Sequence, residues 1–193
     1  MQRPEAPHTA VAEIVLAPRL YQAIAGHGRR KLERRWYPGE EQAPKAYGLL
    51  GGRVEGTRAT VTHVVPLRNN LRNHPDFQPD VDQLMEELAV PSETPFEHRG
   101  WVADPREVLA AERSWEEAGS ALVGAYHMHR VPWPHDPTRD TCTALDTALA
   151  RDSGLWVFIL SMVDPRRPVL RAFFEGDNGR EARISIEEEA RLC

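Results

Sequence analysis

Two histidines and an aspartate form the pattern in this sequence that is best suited to chemistry. His127 and His129 are separated by one residue, and Asp140 follows after ten intervening residues. On a β-strand, residues i and i+2 point to the same face, so both imidazole rings can reach one metal ion. Two nitrogen ligands and one carboxylate suit Zn²⁺ and leave a fourth position for water. The spacing predicts an open zinc site; the alternative is two half-buried histidines near a helix-terminal aspartate.

The elements that carry this pattern are predicted to be a strand followed by a helix. The apolar run at residues 121–126 has the length of a buried strand. Asp136 and Pro137 are typical of a helix start, with aspartate at the N-cap and proline at the first helical position. Asp140 would then lie in the first helical turn, where the helix dipole favours a carboxylate. The metal is therefore expected between the end of the strand and the start of the helix.

Composition limits the class of protein. The 193 residues carry a formal net charge of -5, which gives no basic surface for nucleic acid. Two cysteines, Cys142 and Cys193, do not make a disulfide framework and are expected to be free thiols in a reducing compartment. The first residues lack the apolar core of a signal peptide, and no run approaches the roughly 18 apolar residues of a membrane span. A cytoplasmic protein that binds neither nucleic acid nor a membrane is expected.

The rest of the chain mixes predicted strands with predicted helices. The class that this mixture indicates is α/β (or α+β), with a mixed, largely antiparallel sheet flanked by helices in a single domain over residues 11–193. Residues 1–10 are polar and proline-rich and are predicted to be a disordered N-terminus. The predicted strands cover residues 10–16, 46–52, 60–65, 121–126, 155–162, 168–175 and 182–186, and the clearest helices cover residues 19–36, 104–117 and 141–150.

One region, at about residues 70–98, is predicted to be an insertion. It is rich in proline and holds one predicted helix near residues 81–88. A connection of this length is usually functional or mobile, and Leu84, Met85 and Leu88 fall on one helical face. We predict that this insertion lies beside the active-site groove and helps to select the partner. The alternative is a helix packed on the core or at a homodimer contact.

Most of residues 11–188 resembles the JAMM (MPN+) metalloprotease family, especially its small prokaryotic members. The resemblance rests on the His-x-His, ten-residue, Asp pattern, and on segments 13–27, 48–52, 61–69, 101–109 and 171–174. It implies an MPN/JAB-like fold with Zn²⁺ held by His127, His129 and Asp140. It also implies a hydrolase that cuts peptide or isopeptide bonds at the C-terminus of a ubiquitin-like or sulfur-carrier protein. A small amide is the alternative substrate.

The two catalytic helpers of that family have no direct match here. Lys45 stands where the family has its glutamate base, and an ammonium group cannot accept a proton. Glu41 is the preferred substitute base, although it also fits an exposed helix end, and Asp136 is the alternative base. Pro137 stands at the family's serine position. Thr138 is next to it and is the candidate hydroxyl donor to the developing oxyanion, unless it caps a helix.

Two functions follow from these departures. The first is a zinc hydrolase whose catalytic base has been replaced. The second is a catalytically inactive metal-binding domain that serves in recognition. Retention of all three ligand types favours a use for the metal, whereas loss of the family's base favours the binding role.

Overall fold

The computed structural model describes residues 10–92 and 94–187. Residues 1–9 of the predicted disordered N-terminus, and Cys193, lie outside these described residues. The strands within them are β1 (Glu13–Leu16), β2 (Tyr47–Glu55), β3 (Arg58–Pro66), β4 (Ala121–His129), β5 (Trp156–Ser161), β6 (Val169–Phe174) and β7 (Glu181–Ile186). The helices are α1 (Pro18–Leu32), α2 (Gln78–Leu88), α3 (Pro105–Glu116) and α4 (Ala144–Ala150), with a 3-10 turn at Phe96–His98. None of these described helices is long and apolar enough to cross a membrane.

The seven strands described close into a barrel in the order β1-β3-β2-β4-β5-β6-β7. The parallel pairs are β1 with β3, β1 with β7, and β4 with β5. The other neighbouring pairs are antiparallel. Near the C-terminal end of β4, His127 pairs with Tyr47 on one side and with Ile159 on the other.

The predicted MPN/JAB-like arrangement of a sheet flanked by helices is wrong. β1 pairs with β3 along one edge and with β7 along the other, so Glu13 lies opposite both Arg58 and Arg183. These pairings leave the sheet without a free edge. A solved structure with the same fold, described below, supports this correction. The individual strands were nevertheless predicted close to their observed positions.

Buried hydrophobic side chains cover both faces of the barrel wall. The interior is filled by residues such as Leu50 and Phe158 together with Ile24 of α1, all of them fully buried. On the outside, α3 presses Trp115 against Leu49 of β2. Burial of each such side chain stabilises the fold by about 1.5–3 kcal/mol.

A buried polar cluster links α1 to the barrel interior. The Tyr126 hydroxyl lies 2.7 Å from His27 Nδ1, and Glu40 Oε1 lies 3.6 Å from His27 Nε2. Glu40 also accepts two hydrogen bonds from Arg30, and its Oε1 lies 3.3 Å from Lys31 Nζ. Burial lowers the pKa of His27 to about 4, reinforced by Arg30 and Lys31 and opposed by Glu40. His27 is therefore held neutral inside the fold.

Candidate metal centre

The two histidines lie side by side on the outer face of the barrel, at the end of β4. Their neighbours Tyr126 and Met128 pack into the interior cluster, as the alternation of a strand requires. His127 Nε2 and His129 Nε2 are 3.1 Å apart. The Tyr47 ring stacks on His127, with ring centroids 6.1 Å apart, and so fixes one side of the imidazole.

The carboxylate that joins the histidines is Asp146. Its Oδ1 lies 3.1 Å from His127 Nε2, and its Oδ2 lies 3.5 Å from His129 Nε2. Among the residues that the structure describes, these three offer nitrogen and oxygen atoms within 4.8 Å of one another. We call them the His127–His129–Asp146 group. The predicted ligand from the helix is therefore replaced by a residue six positions further along the chain.

Asp140 does not reach the histidines. Its Oδ1 lies 3.2 Å from Arg171 Nη1 and accepts a hydrogen bond of 3.0 Å from the Thr138 hydroxyl. The chain after Pro137 does not enter a helix, because Arg139 adopts a positive φ of 48°. The helix starts only at Ala144. The predicted start at Asp136 and Pro137 is therefore wrong, and Asp140 lies in a loop.

A helix cap positions Asp146. The backbone N–H and the hydroxyl of Thr143 both donate to Asp146 Oδ2, at 2.7 and 2.8 Å. In return, the Asp146 backbone N–H donates to the Thr143 hydroxyl at 3.2 Å. The sequence signal of this reciprocal capping box is Thr-x-x-Asp at residues 143–146, which the sequence analysis missed. The cap holds Oδ2, which also lies 3.5 Å from His129 Nε2, and leaves Oδ1 facing His127.

The turn between β6 and β7 anchors the start of α4. The Asn178 side chain accepts from the Cys142 backbone N–H at 3.0 Å and donates to the Cys142 carbonyl at 2.9 Å. The Thr147 hydroxyl donates to the Gly176 carbonyl at 2.7 Å. Gly176 has a φ of +70°, and a Cβ there would lie 3.0 Å from the Thr147 Cα and 3.1 Å from the Asp146 carbonyl oxygen. The turn and the helix are thus in direct backbone contact.

Hydrogen bonding leaves a lone pair of His129 free for a metal. His129 Nδ1 lies 3.1 Å from the Arg139 carbonyl oxygen, which can only accept. Nδ1 therefore carries the proton, and burial lowers the pKa of His129 so that the ring is neutral. Nε2 of a neutral ring with that tautomer can bind a metal, and the carbonyl fixes its direction. Burial alone would raise the pKa of Asp146, but its interactions with the histidines, chiefly His127, hold that pKa well below its usual range.

The spacing of the three side chains fits zinc. Two ligand atoms that each lie about 2.0–2.1 Å from a tetrahedral zinc are roughly 3.3–3.4 Å apart. The two Nε2 atoms are 3.1 Å apart, Asp146 Oδ1 lies 3.1 Å from His127 Nε2, and Asp146 Oδ2 lies 3.5 Å from His129 Nε2. The ligand types, these distances, the fixed tautomer and the helix cap are compatible with a zinc site that has one open position.

The group lies in the wall of a cleft of about 1010 Å³. Glu41 and Lys45 line the same cleft, whereas Asp136 and Thr138 do not. The Asp136 carboxylate accepts from the Arg139 backbone N–H at 2.8 Å, which ties it to its own loop. The Thr138 hydroxyl is used by Asp140. Of the predicted catalytic helpers, the structure brings only Glu41 into the cleft with the histidines.

The insertion predicted at residues 70–98 supplies another part of the cleft wall. Met85 and Leu88 of α2 line it, together with Arg99 and Trp101 just after the insertion. The Trp101 ring stacks on Tyr47, with centroids 5.7 Å apart. Sequence reasoning missed this aromatic stack, because nothing local in the sequence pairs residues so far apart.

One solved structure supports the fold. No protein-family model matches the chain, and no curated protein matches it. The solution structure of a protein from Desulfitobacterium hafniense is 26% identical over 92% of this chain and 95% of that one, with a TM-score of 0.59. The solution structure of a protein from Salinibacter ruber is 21% identical over 92% of this chain and 93% of that one, with a TM-score of 0.47. Neither description states an activity.

Proposed function

We propose that this protein is a zinc-dependent hydrolase of an amide bond, of the peptide or isopeptide kind, with His127, His129 and Asp146 as its zinc ligands. One observation carries the proposal. Two histidine nitrogens and one aspartate carboxylate converge, with one ligand atom from each side chain within 4.8 Å of the others, in the wall of a cleft of about 1010 Å³. A structural zinc site would instead be closed by a fourth protein ligand.

The chain's own residues suit the remaining chemistry of hydrolysis. A zinc ion in this group would act as a Lewis acid and lower the pKa of water toward about 7. Glu41 is our candidate base, because its carboxylate lines the cleft and has no hydrogen-bond or ion-pair partner among the described residues. It would take the proton of the attacking water as the water oxygen bonds to the carbonyl carbon. The proton then goes to the amine that leaves when the C–N bond breaks.

The substrate follows from the resemblance to JAMM isopeptidases and from the cleft. A ubiquitin-like or sulfur-carrier protein would present its extended C-terminus, and a small amide would enter whole. The cleft is lined partly by the insertion, which supports a role for that segment in choosing between them.

A second candidate function is a catalytically inactive metal-binding recognition domain. One observation favours it. Lys45, at the family's glutamate position, lines the cleft, and its ammonium donates to the Gly100 carbonyl at 3.1 Å. No carboxylate therefore occupies the position from which that family's base acts.

Two matched variants test the hydrolase proposal. Protein purified without chelator should contain one zinc per chain by elemental analysis. Asp146→Asn should lose that zinc, whereas Asp140→Asn should keep it, because Asp140 is bound to Arg171 instead.

The wild type should cleave a Gly-Gly-tailed conjugate or a small amide, and Glu41→Gln should be inactive while retaining zinc. Zinc binding without cleavage of any amide would favour the recognition domain, and absence of zinc would refute both.

A further inference from the structure

Three cations in the cleft have no counterion in the described part of the chain. Lys45, Arg99 and Arg130 line the cleft, and none has a carboxylate oxygen within 4.0 Å among residues 10–92 and 94–187. Their head groups donate only to neutral acceptors. Lys45 donates to the Gly100 carbonyl at 3.1 Å, Arg99 to the Val90 carbonyl at 2.7 Å, and Arg130 to the Thr94 hydroxyl at 3.4 Å.

What distinguishes these three cations is that they lie in one cleft. Elsewhere, half-buried Arg30 and Arg171 are paired with Glu40 and Glu181, and half-buried Arg29 donates singly to the Pro165 carbonyl. The whole chain is acidic, with a net charge of -5, so an excess of basic residues over acidic residues does not explain why these cations lack partners. Unpaired charges away from water are costly unless a ligand neutralises them.

The carboxylates of the cleft do not fill this need. Asp146 is already engaged by Thr143 and the two histidines. Glu97 is exposed to solvent, and Glu41 does not come within 4.0 Å of a cation. Burial lowers the pKa of Lys45 to about 8, opposed by the charge of Glu41 and reinforced by Arg72 and Arg130. The ammonium nevertheless has no carboxylate within 4.0 Å among the described residues.

The backbone places these cations next to the metal centre. Tyr47 pairs with His127, and the Met128 N–H donates to the Ala46 carbonyl at 3.0 Å. Lys45, the next residue along, therefore lies beside the His129 end of β4, and Arg130 directly follows His129. An anionic group held by both side chains would share the cleft with atoms held at the histidines.

We propose that Lys45 and Arg130 bind a carboxylate of the substrate beside the His127–His129–Asp146 group. This inference rests on the proposed function and narrows its substrate class to amides with a carboxylate close to the scissile bond. N-acyl amino acids and peptides with a free C-terminal carboxylate share that chemistry. Arg99 contributes positive charge from the insertion side of the cleft.

Binding of two matched probe pairs tests the proposal by calorimetry. N-benzoylglycine is compared with its neutral carboxamide, and a tetrapeptide that ends in Gly-Gly is compared with its C-terminal amide. The acid of at least one pair should bind roughly ten-fold or more tightly than its neutral partner, because charge-assisted hydrogen bonds are stronger. The pair that shows the preference identifies the small molecule or the peptide as the source. Equal binding of acid and amide in both pairs overturns the proposal.

Variants assign the preference to the two side chains. Lys45→Met and Arg130→Met should each lose most of the preference for the acid, and Lys45→Arg should largely keep it. Arg113→Met is the charge-matched control, because Arg113 is exposed on α3 and does not line the cleft. If both Met variants keep the wild-type preference, the proposal is wrong. Melting curves confirm folding, and if one Met variant does not fold, the other still decides.

The same measurements in Asp146→Asn separate this inference from the proposed function. Carboxylate preference in a variant that has lost zinc would show that the anion site stands even where metal binding fails. One zinc per chain without any carboxylate preference would uphold the metal centre and overturn the anion site.

Discussion

Thr143 and Asp146 form a reciprocal helix cap whose free oxygen faces His127. The Thr143 hydroxyl donates to Asp146 Oδ2 at 2.8 Å, while Asp146 Oδ1 lies 3.1 Å from His127 Nε2. The same carboxylate thus starts a helix and completes a candidate metal site. Its direction is set by backbone structure, so the three ligand atoms are brought together before any metal arrives.

We expect loss of the Thr143 hydroxyl to weaken zinc binding. Thr143→Val removes two hydrogen bonds from the cap and leaves the Thr143 backbone N–H to hold the Asp146 carboxylate, so Asp146 is held less firmly. Loss of a group that orients a ligand typically costs 10–100-fold in metal affinity, and loss of a cap about 1 kcal/mol of stability. Competition with a zinc chelator measures the affinity. Thr143→Ser keeps the hydroxyl and should bind zinc as the wild type does; a Val variant with unchanged affinity would contradict the role of the cap.

The contact between Gly176 and α4 gives a second prediction. Gly176→Ala forces a residue with a side chain to adopt a φ of +70° and places a Cβ 3.0 Å from the Thr147 Cα. Gly56→Ala is the matched control, since Gly56 has a φ of +60° but nothing within 4 Å of the added atom. Both variants should lose about 1 kcal/mol from backbone strain. Only Gly176→Ala should also weaken zinc binding, measured by the same chelator competition, because it moves the backbone that carries Asp146. Equal zinc affinities in the two variants would show that the turn does not position the site.

Local patterns in the sequence predicted the histidine half of the site. The alternation around Tyr126 and His127 is a property of one strand, and it puts both rings on one face wherever that strand packs. The carboxylate was harder to predict, because two helix-start signals compete in the loop. The Asp136 side chain accepts from the Arg139 N–H and closes a local turn, so the helix begins at the second signal, Thr143.

The fold, too, could be predicted only in part from the sequence. The strand positions were predictable because each depends on its own apolar run. Closure of the barrel depends on Ile14 meeting Ala59 on one side and Ile184 on the other. Residue 14 is then paired with a residue near the other end of the described chain, and no local periodicity encodes such a contact.

Two neighbouring side chains of α2 separate packing from substrate selection. Met85 is 1% exposed, so Met85→Ala should lower the free energy of unfolding by about 2–5 kcal/mol. Leu88 lines the cleft and is only partly buried, so Leu88→Ser should cost less stability. If the insertion selects the partner, Leu88→Ser should change KM for the cleaved substrate at least several-fold while kcat and zinc content stay near the wild-type values. Urea denaturation and steady-state kinetics measure the two effects. A Leu88 variant with wild-type kinetics for every cleaved substrate would leave α2 with a packing role alone.

The neutral His27 makes the fold less stable as the pH falls. Its pKa is about 4 in the folded protein and about 6.5 when unfolded, so the unfolded chain binds more protons between these values. The free energy of unfolding should therefore decrease by about 2–3 kcal/mol from this side chain as the pH falls from 7 to 4.5. The lower pH limit of 4.5 is chosen because Glu40 in the folded protein titrates mostly below it. Burial opposes the shift, but hydrogen bonds from Arg30 and from a backbone N–H lower the pKa of Glu40 to about 2.

Comparison with His27→Gln isolates this effect. Glutamine retains hydrogen-bonding capacity toward the Tyr126 hydroxyl but does not titrate. Urea denaturation of both proteins at several pH values, with a chelator present to remove any metal-linked pH dependence, gives the free energies of unfolding. The wild type should lose about 2–3 kcal/mol more than the variant between pH 7 and 4.5. A difference between the two proteins that does not change with pH would show that His27 is not held neutral by its burial next to Arg30 and Lys31.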